Sequence, residues 1–148
     1  MSEIVSAPRI VVGVDGSTGS ERALQWALRL ARGEHATIEV LGAWEYPTML
    51  GWDVPLDDYS PKLDMENAVN EVVEKVFGPQ RPPYLQVLIR KGHPVRALLD
   101  ASADALMLVV GSRGRGGFTG LLLGSVSARV AELATCPVLV VHGDLTAS

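Results

Sequence analysis

Short runs of β-branched and aliphatic residues alternate with stretches of helical period along this chain, and that alternation leaves few folds open. RIVVGV (9–14) is a compact apolar run that ends at the turn-forming DGSTGS. TGSERALQWALRLAR follows, with Ala23, Leu24, Ala27, Leu28 and Ala31 at helical spacing. Such a run reads as a buried strand and such a period as an amphipathic helix. Thr18 with Glu21 three residues on suggests a capping box, and Gly33 is expected to stop the helix. The same pair of signals recurs. ATIEVLGAW (36–44), YLQVLIR (84–90), ALMLVV (105–110) and PVLVVH (137–142) read as strands. KLDMENAVNEVVEKVF (62–77), a segment opening at Pro94 and another opening at Gly124-Ser125 read as helices.

Strictly alternating strands and helices, with strands apolar throughout, predict a parallel sheet covered by helices on both faces. Crossovers in such sheets are right-handed, which limits the windings. The expected fold is one three-layer α/β/α domain over 1–148, with its core at about 8–142. It is Rossmann-like, with a five-stranded parallel sheet in the order 3-2-1-4-5. That order sets strands 1 and 4 side by side where the winding reverses, the point at which open α/β sheets bind ligands beyond their strand ends. Residues 44–61 carry three prolines and no period, and are expected to form a long loop.

The net charge is −4. An acidic balance argues against nucleic acid as the main partner, since phosphate-backbone binding needs a basic face. It leaves room for one phosphorylated small molecule in a locally positive pocket. No apolar run approaches the roughly 20 residues that span a bilayer. The first residues lack the basic region of a signal peptide. The one cysteine, Cys136, allows no internal disulfide. These features suit a cytoplasmic protein.

Directly after the fourth strand comes GSRGRGGFTGLLLGSVS (111–127), with six glycines and two arginines. Bare backbone can fold into a nest of N–H groups that approach phosphate oxygens closely. The helix beginning near Gly124-Ser125 adds free amides and a positive dipole end. Arg113 and Arg115 add charge. Three or four charge-assisted bonds at roughly 1.5–3 kcal/mol each sum to about 5–12 kcal/mol before ordering costs. A micromolar ligand needs about 8 kcal/mol. The Walker sequence is absent, because no glycine is followed by Lys-Ser or Lys-Thr. Glycines 13, 16 and 19 have the wrong spacing for the dinucleotide fingerprint. From composition alone, a surface loop and a phosphate loop remain equally open.

The spacing Gly111-x2-Gly114-x9-Gly124-Ser125 resembles the G-2x-G-9x-G-[S/T] signature of ATP-binding universal stress proteins. IVVGVDGS is similar to that family's first strand and turn, KGHPVRALLDAS to its Gly-x-Pro turn into the third helix, and CPVLVV to its last strand. The likeness runs over about residues 8–142. It implies a fold of the adenine nucleotide alpha hydrolase type, with ATP across the C-terminal ends of strands 1, 2 and 4. Gly13, Val14 and Asp15 would then line the pocket floor, with Asp15 near the ribose or a phosphate-bound Mg²⁺. The main chain of Ala43 would read the adenine edge, and Val110 and Gly111 would meet base and ribose. Gly114, Gly124, Ser125 and Val126 would hold the phosphates, under Arg113 and Arg115. Family members usually carry a larger aliphatic residue where Ala43 stands. This smaller residue, with Gly42 before it, is expected to open the base pocket or let Trp44 cover it.

Asp15 has a plain alternative, the start of the turn before the helix. Trp44, Tyr46 and Trp52 either cover the base or pack on the domain's edge, and Asp57-Asp58 favour the edge. His93 is expected to cap or precede a helix, and Cys136 to be inert packing. No residue is placed to orient an attacking group, and hydrolase signatures are absent. The resemblance thus implies a nucleotide-dependent regulatory or interaction module in stress response. A slow ATPase or self-modifying phosphotransferase and a nucleotide-free dimeric scaffold are the alternatives. The last strand, 137–142, is expected at the sheet edge, where it would pair with a second copy in a homodimer.

Overall fold

A computed structural model describes residues 7–49, 51–53, 60–113 and 123–142. Its five-stranded parallel sheet consists of β1 (Arg9–Gly13), β2 (Thr37–Trp44), β5 (Leu85–Lys91), β6 (Met107–Gly111) and β7 (Val138–Val141). The spatial order is β5-β2-β1-β6-β7, the expected 3-2-1-4-5 winding. The helices are α1 (Thr18–Glu34), α2 (Pro61–Phe77), α3 (Pro94–Ser102) and α4 (Ser125–Leu133).

Two apolar cores sandwich the sheet. On one face Ile10, Val12, Ile38, Val40 and Val109 meet Ala23, Leu24 and Ala27 of α1 and Val69 and Val73 of α2. On the other face Val11, Leu41, Leu108 and Val110 meet Leu98 of α3 and Val130 of α4. The two-residue alternation of the strands sends neighbours such as Val11 and Val12 to opposite cores. With both faces covered, the central strands β1 and β6 have no polar side to show, which explains their apolar runs from Ile10 to Val12 and from Met107 to Val110.

Local expectations needed correction in three places. Ser17, rather than Thr18, caps α1: its Oγ accepts the amide of Ser20 at 3.1 Å, and its carbonyl accepts that of Glu21. Gly33 does not stop that helix. α1 runs to Glu34 and ends at His35, which adopts left-handed backbone with φ 51°. The interval 44–61 is not wholly a loop, since Trp44 completes β2 and a small antiparallel hairpin joins β3 (Thr48–Met49) to β4 (Trp52–Asp53). Each hairpin strand is two residues long, too short a run for a periodicity to show.

Candidate functional site

β1 and β6 pair only as far as Val12 and Val109. Beyond that point their pairing ends, with α1 following β1 after a short turn and the start of α4 held beside the end of β6. The result is a crevice of about 430 Å³ at the C-terminal ends of β1, β2 and β6, within the range of small-molecule sites. Gly13, Val14, Asp15, Ala43, Val110, Gly111, Arg113, Gly124, Ser125 and Val126 all line it. Gly114 and Arg115 lie outside the described residues.

One end of the crevice exposes strand backbone. Ile38 donates to Tyr84 and Gly92 donates to Trp44, so the even-numbered residues of β2 bond to β5. Thr37 donates to Pro8 and Val14 donates to Leu41 at 3.0 Å, so the odd-numbered ones face β1. Ala43 is the next odd residue, and β1 has already ended. Its N–H and C=O therefore point into the crevice with no backbone partner among the described residues. One donor beside one acceptor is the pattern that an adenine edge complements.

The other end holds helix amides. Gly124 caps α4 with no side-chain bond, and the first intrahelical bond runs from Ala128 N–H to the Gly124 carbonyl. Gly124 gives its own amide to the Ser112 carbonyl at 2.5 Å. The amides of Ser125, Val126 and Ser127 come next. The first helical turn leaves such groups without intrahelical partners. They carry the positive end of the helix dipole. Two ties fix this helix start against the end of β6, the Gly124 amide on Ser112 and the Ser127 hydroxyl donating to the Gly111 carbonyl; Ser112, itself buried, gives its own amide to Val141 of β7 at 2.7 Å.

Asp15 sits between the two ends. Its Oδ1 accepts the Ser17 amide at 2.9 Å, so the carboxylate does shape the turn before α1. Gly16, at φ 90°, completes that turn, a conformation that favours glycine. Asp15 is also the one carboxylate-bearing residue among the described lining, so it both shapes the turn and faces the crevice.

Gly42 has a packing role of its own. A Cβ there would come within 2.7 Å of Val69 Cγ2 and 3.0 Å of Met65 Cγ, so its smallness admits α2 to the sheet. That approach brings Met65 to the crevice wall, a lining residue the sequence did not disclose. Trp44 and Tyr46 stand edge to face at 5.3 Å, with Lys91 Nζ over both rings, and neither lines the crevice. Their edge-packing alternative is the observed one, while Asp57 and Asp58 lie outside the described residues. His93 caps α3, its Nδ1 accepting the Val95 amide at 3.1 Å. Cys136 packs against the second core.

A second hollow, about 640 Å³ and more open, lies between α3 and α4. It is larger, but among the described residues no strand end reaches it. The crevice has three strand ends and a helix start together, and is the better candidate.

Comparison with known proteins bears on the fold and the family. Residues 7–142 match the model of the universal stress protein family. A universal stress protein of Mycobacterium tuberculosis is 37% identical over 140 residues, which are 93% of this chain and 46% of the relative. The chain thus spans about half the length of the first curated relatives it matches. A universal stress protein of Bacillus subtilis is 28% identical over 145 residues, covering 90% of this chain and 98% of the relative. Among solved structures, a universal stress protein in complex with cAMP superposes with a TM-score of 0.69 at 28% identity, covering 94% of this chain and 99% of that one. A Lactobacillus plantarum universal stress protein superposes at 0.70 with 20% identity, covering 93% and 99%, and shares the fold.

Proposed function

We propose that this chain, which belongs to the universal stress protein family, binds ATP in the crevice and acts as a nucleotide-dependent interaction module. The observation that carries the reading is the pairing of two unlike ends in one cavity. The open backbone of Ala43 suits an adenine edge, and the α4 amides at Ser125, Val126 and Ser127 suit phosphate oxygens. The apolar wall between them, including Val14, Leu41, Leu98 and Val110, suits the faces of base and ribose. Gly13 and Gly111 line the floor, and Arg113 stands at the mouth with Gly114 and Arg115 following it in sequence.

Magnesium fits as a companion of the phosphates. Among the described residues no cluster of three His, Cys, Asp or Glu can hold a metal. Asp15 alone brings a carboxylate to the described lining. Mg²⁺ commonly keeps several waters and binds through one or two carboxylates plus substrate phosphates, which matches this donor set. When bound, the ion offsets the charge that triphosphate would otherwise press against Asp15.

Titration calorimetry with MgATP tests the reading, and micromolar affinity is expected. Gly124 has extended backbone that any residue can adopt, at φ −69° and ψ 166°. Gly124→Glu should therefore keep the fold and place a carboxylate among the phosphates, abolishing binding. A wild-type chain with no heat of binding and no thermal shift would leave only a nucleotide-free scaffold. The relative solved with cAMP supports a second reading, an adenine nucleotide with one phosphate. Running AMP and cAMP beside ATP ranks the two. Prolonged incubation with labelled ATP separates binder from enzyme: steady ADP release, lost in Gly124→Glu, would establish a slow ATPase. The module is further proposed to work as a homodimer joined at β7.

A further inference from the structure

We infer that Gly19, in the first turn of α1, is a positioning residue that seats the stem of the glycine-rich loop and so sets affinity for the outer phosphates; this rests on the ATP reading above. Gly19 has no conformational need to be glycine. The positive-φ glycines among the described residues are Gly16, Gly51, Gly78 and Gly92. It stands inside a helix, where glycine costs about 0.5–1 kcal/mol relative to alanine. What it provides is room. A Cβ on Gly19 would lie 2.8 Å from the Arg113 carbonyl oxygen. A Cβ on Gly111 would lie 2.7 Å from the Gly19 carbonyl carbon and 2.8 Å from its oxygen. Both are closer than real Cβ atoms come, and both obstacles are backbone, which cannot rotate away. Two bare residues thus let the start of α1 press against residues 111–113.

The two sides of this contact are unequally held. One turn further on, α1 is fixed by Ala23, Leu24 and Ala27, each fully buried. The stem leaves the sheet where Gly111 makes the last β6 pairing, with Val141, and beyond it the chain is a strand end rather than the body of a helix, with Ser112 tied to Val141, Gly124 to Ser112 and the Ser127 hydroxyl to Gly111. An added methyl at position 19 therefore displaces the stem rather than the helix. Arg113 moves with it, while α4, anchored by the fully buried Val130, and Ala43 on the far side of β1 do not. Binding sites lose function when their groups drift by about 0.5 Å. The damage should fall on the phosphates and spare the base.

The test is the ratio of ATP to AMP affinity in Gly19→Ala, measured by calorimetry on folded protein. The expected result is a ratio about tenfold lower than in the parent chain, a free-energy change of about 1.4 kcal/mol, with AMP affinity within twofold. An unchanged ratio, whether both affinities hold or both fall together, would overturn the proposal. The substitution is also placed on a Gly33→Ala background, where an open helical position accepts a methyl. Failure to fold on both backgrounds would make Gly19 a purely structural residue and overturn it equally. A parent chain that binds no nucleotide would instead sink the ATP reading, so the two failures are distinguishable.

Discussion

Arg9 shows how one side chain can decide whether a buried charge is tolerable. Glu39 sits on β2 with its side chain only 10% exposed. Arg9, at the start of β1, donates through Nη1 to Glu39 Oε2 at 3.0 Å and to the Ala101 carbonyl at 2.6 Å. Nη2 pairs with Asp104, whose own side chain is largely exposed, so that contact adds little. One guanidinium thereby ties β1, β2 and the end of α3 at the base of the sheet. Removing it strands a carboxylate away from water. Arg9→Ala should cost about 2–4 kcal/mol, near the range for breaking buried pairs and reduced because Arg9 is partly exposed. Urea unfolding reads this as a lower midpoint. Replacing both partners, as Arg9→Met with Glu39→Leu, should recover most of the loss, since an apolar pair needs no partner charge. A double variant no more stable than Arg9→Ala would place the cost elsewhere.

At the scale of elements, α1 offers a sharp test because it runs past the glycine expected to end it. A helix terminus marked by Gly33 would need that residue in left-handed backbone, and alanine there would destabilise. The structure instead gives Gly33 helical surroundings, with nothing within 4 Å of where a Cβ would stand, and passes the left-handed cap to His35. Gly33→Ala should therefore stabilise by about 0.5–1 kcal/mol, the propensity difference in a helix. A lower melting temperature in this variant would restore Gly33 as the stop. His35→Gly should stabilise as well, because non-glycine residues in left-handed backbone cost roughly 1–2 kcal/mol. These elements also show what the sequence could disclose. The alternation of apolar runs and helical periods carried the winding, since each strand buried on both faces leaves an unbroken apolar record. Asp15, Ala43 and Ser125 could be placed at one crevice because that winding brings their strand and helix ends together. The contact of Gly19 with Gly111, and of Gly42 with α2, left no such record. They depend on distances between segments far apart in sequence, and a glycine looks the same whether it serves a turn or makes room.

Among the described residues the sheet has two open edges, and they differ. β5 carries Gln86, Arg90 and Lys91, all exposed, which discourages pairing. β7 is VLVV, with Val138, Leu139 and Val140 half-buried and no charge along it. Its ladder with β6 assigns the backbone directions. Leu108 donates to Pro137 and Ser112 donates to Val141, so odd-numbered residues bond inward. Val138 and Val140 therefore present their N–H and C=O groups to the free edge. A second copy related by a two-fold axis can pair with these groups and cover the apolar side chains beside them. Proline at such a position removes an outward donor and leaves the inner ladder untouched, as edge strands allow. Val140→Pro should thus keep the circular dichroism spectrum of the parent while shifting its mass in light scattering from dimer to monomer at micromolar concentration. Nucleotide affinity should survive the change, because no residue of β7 is among the described crevice lining. A parent chain that is already monomeric would remove β7 as the joint. A dimer that persists in Val140→Pro would move the joint to another face.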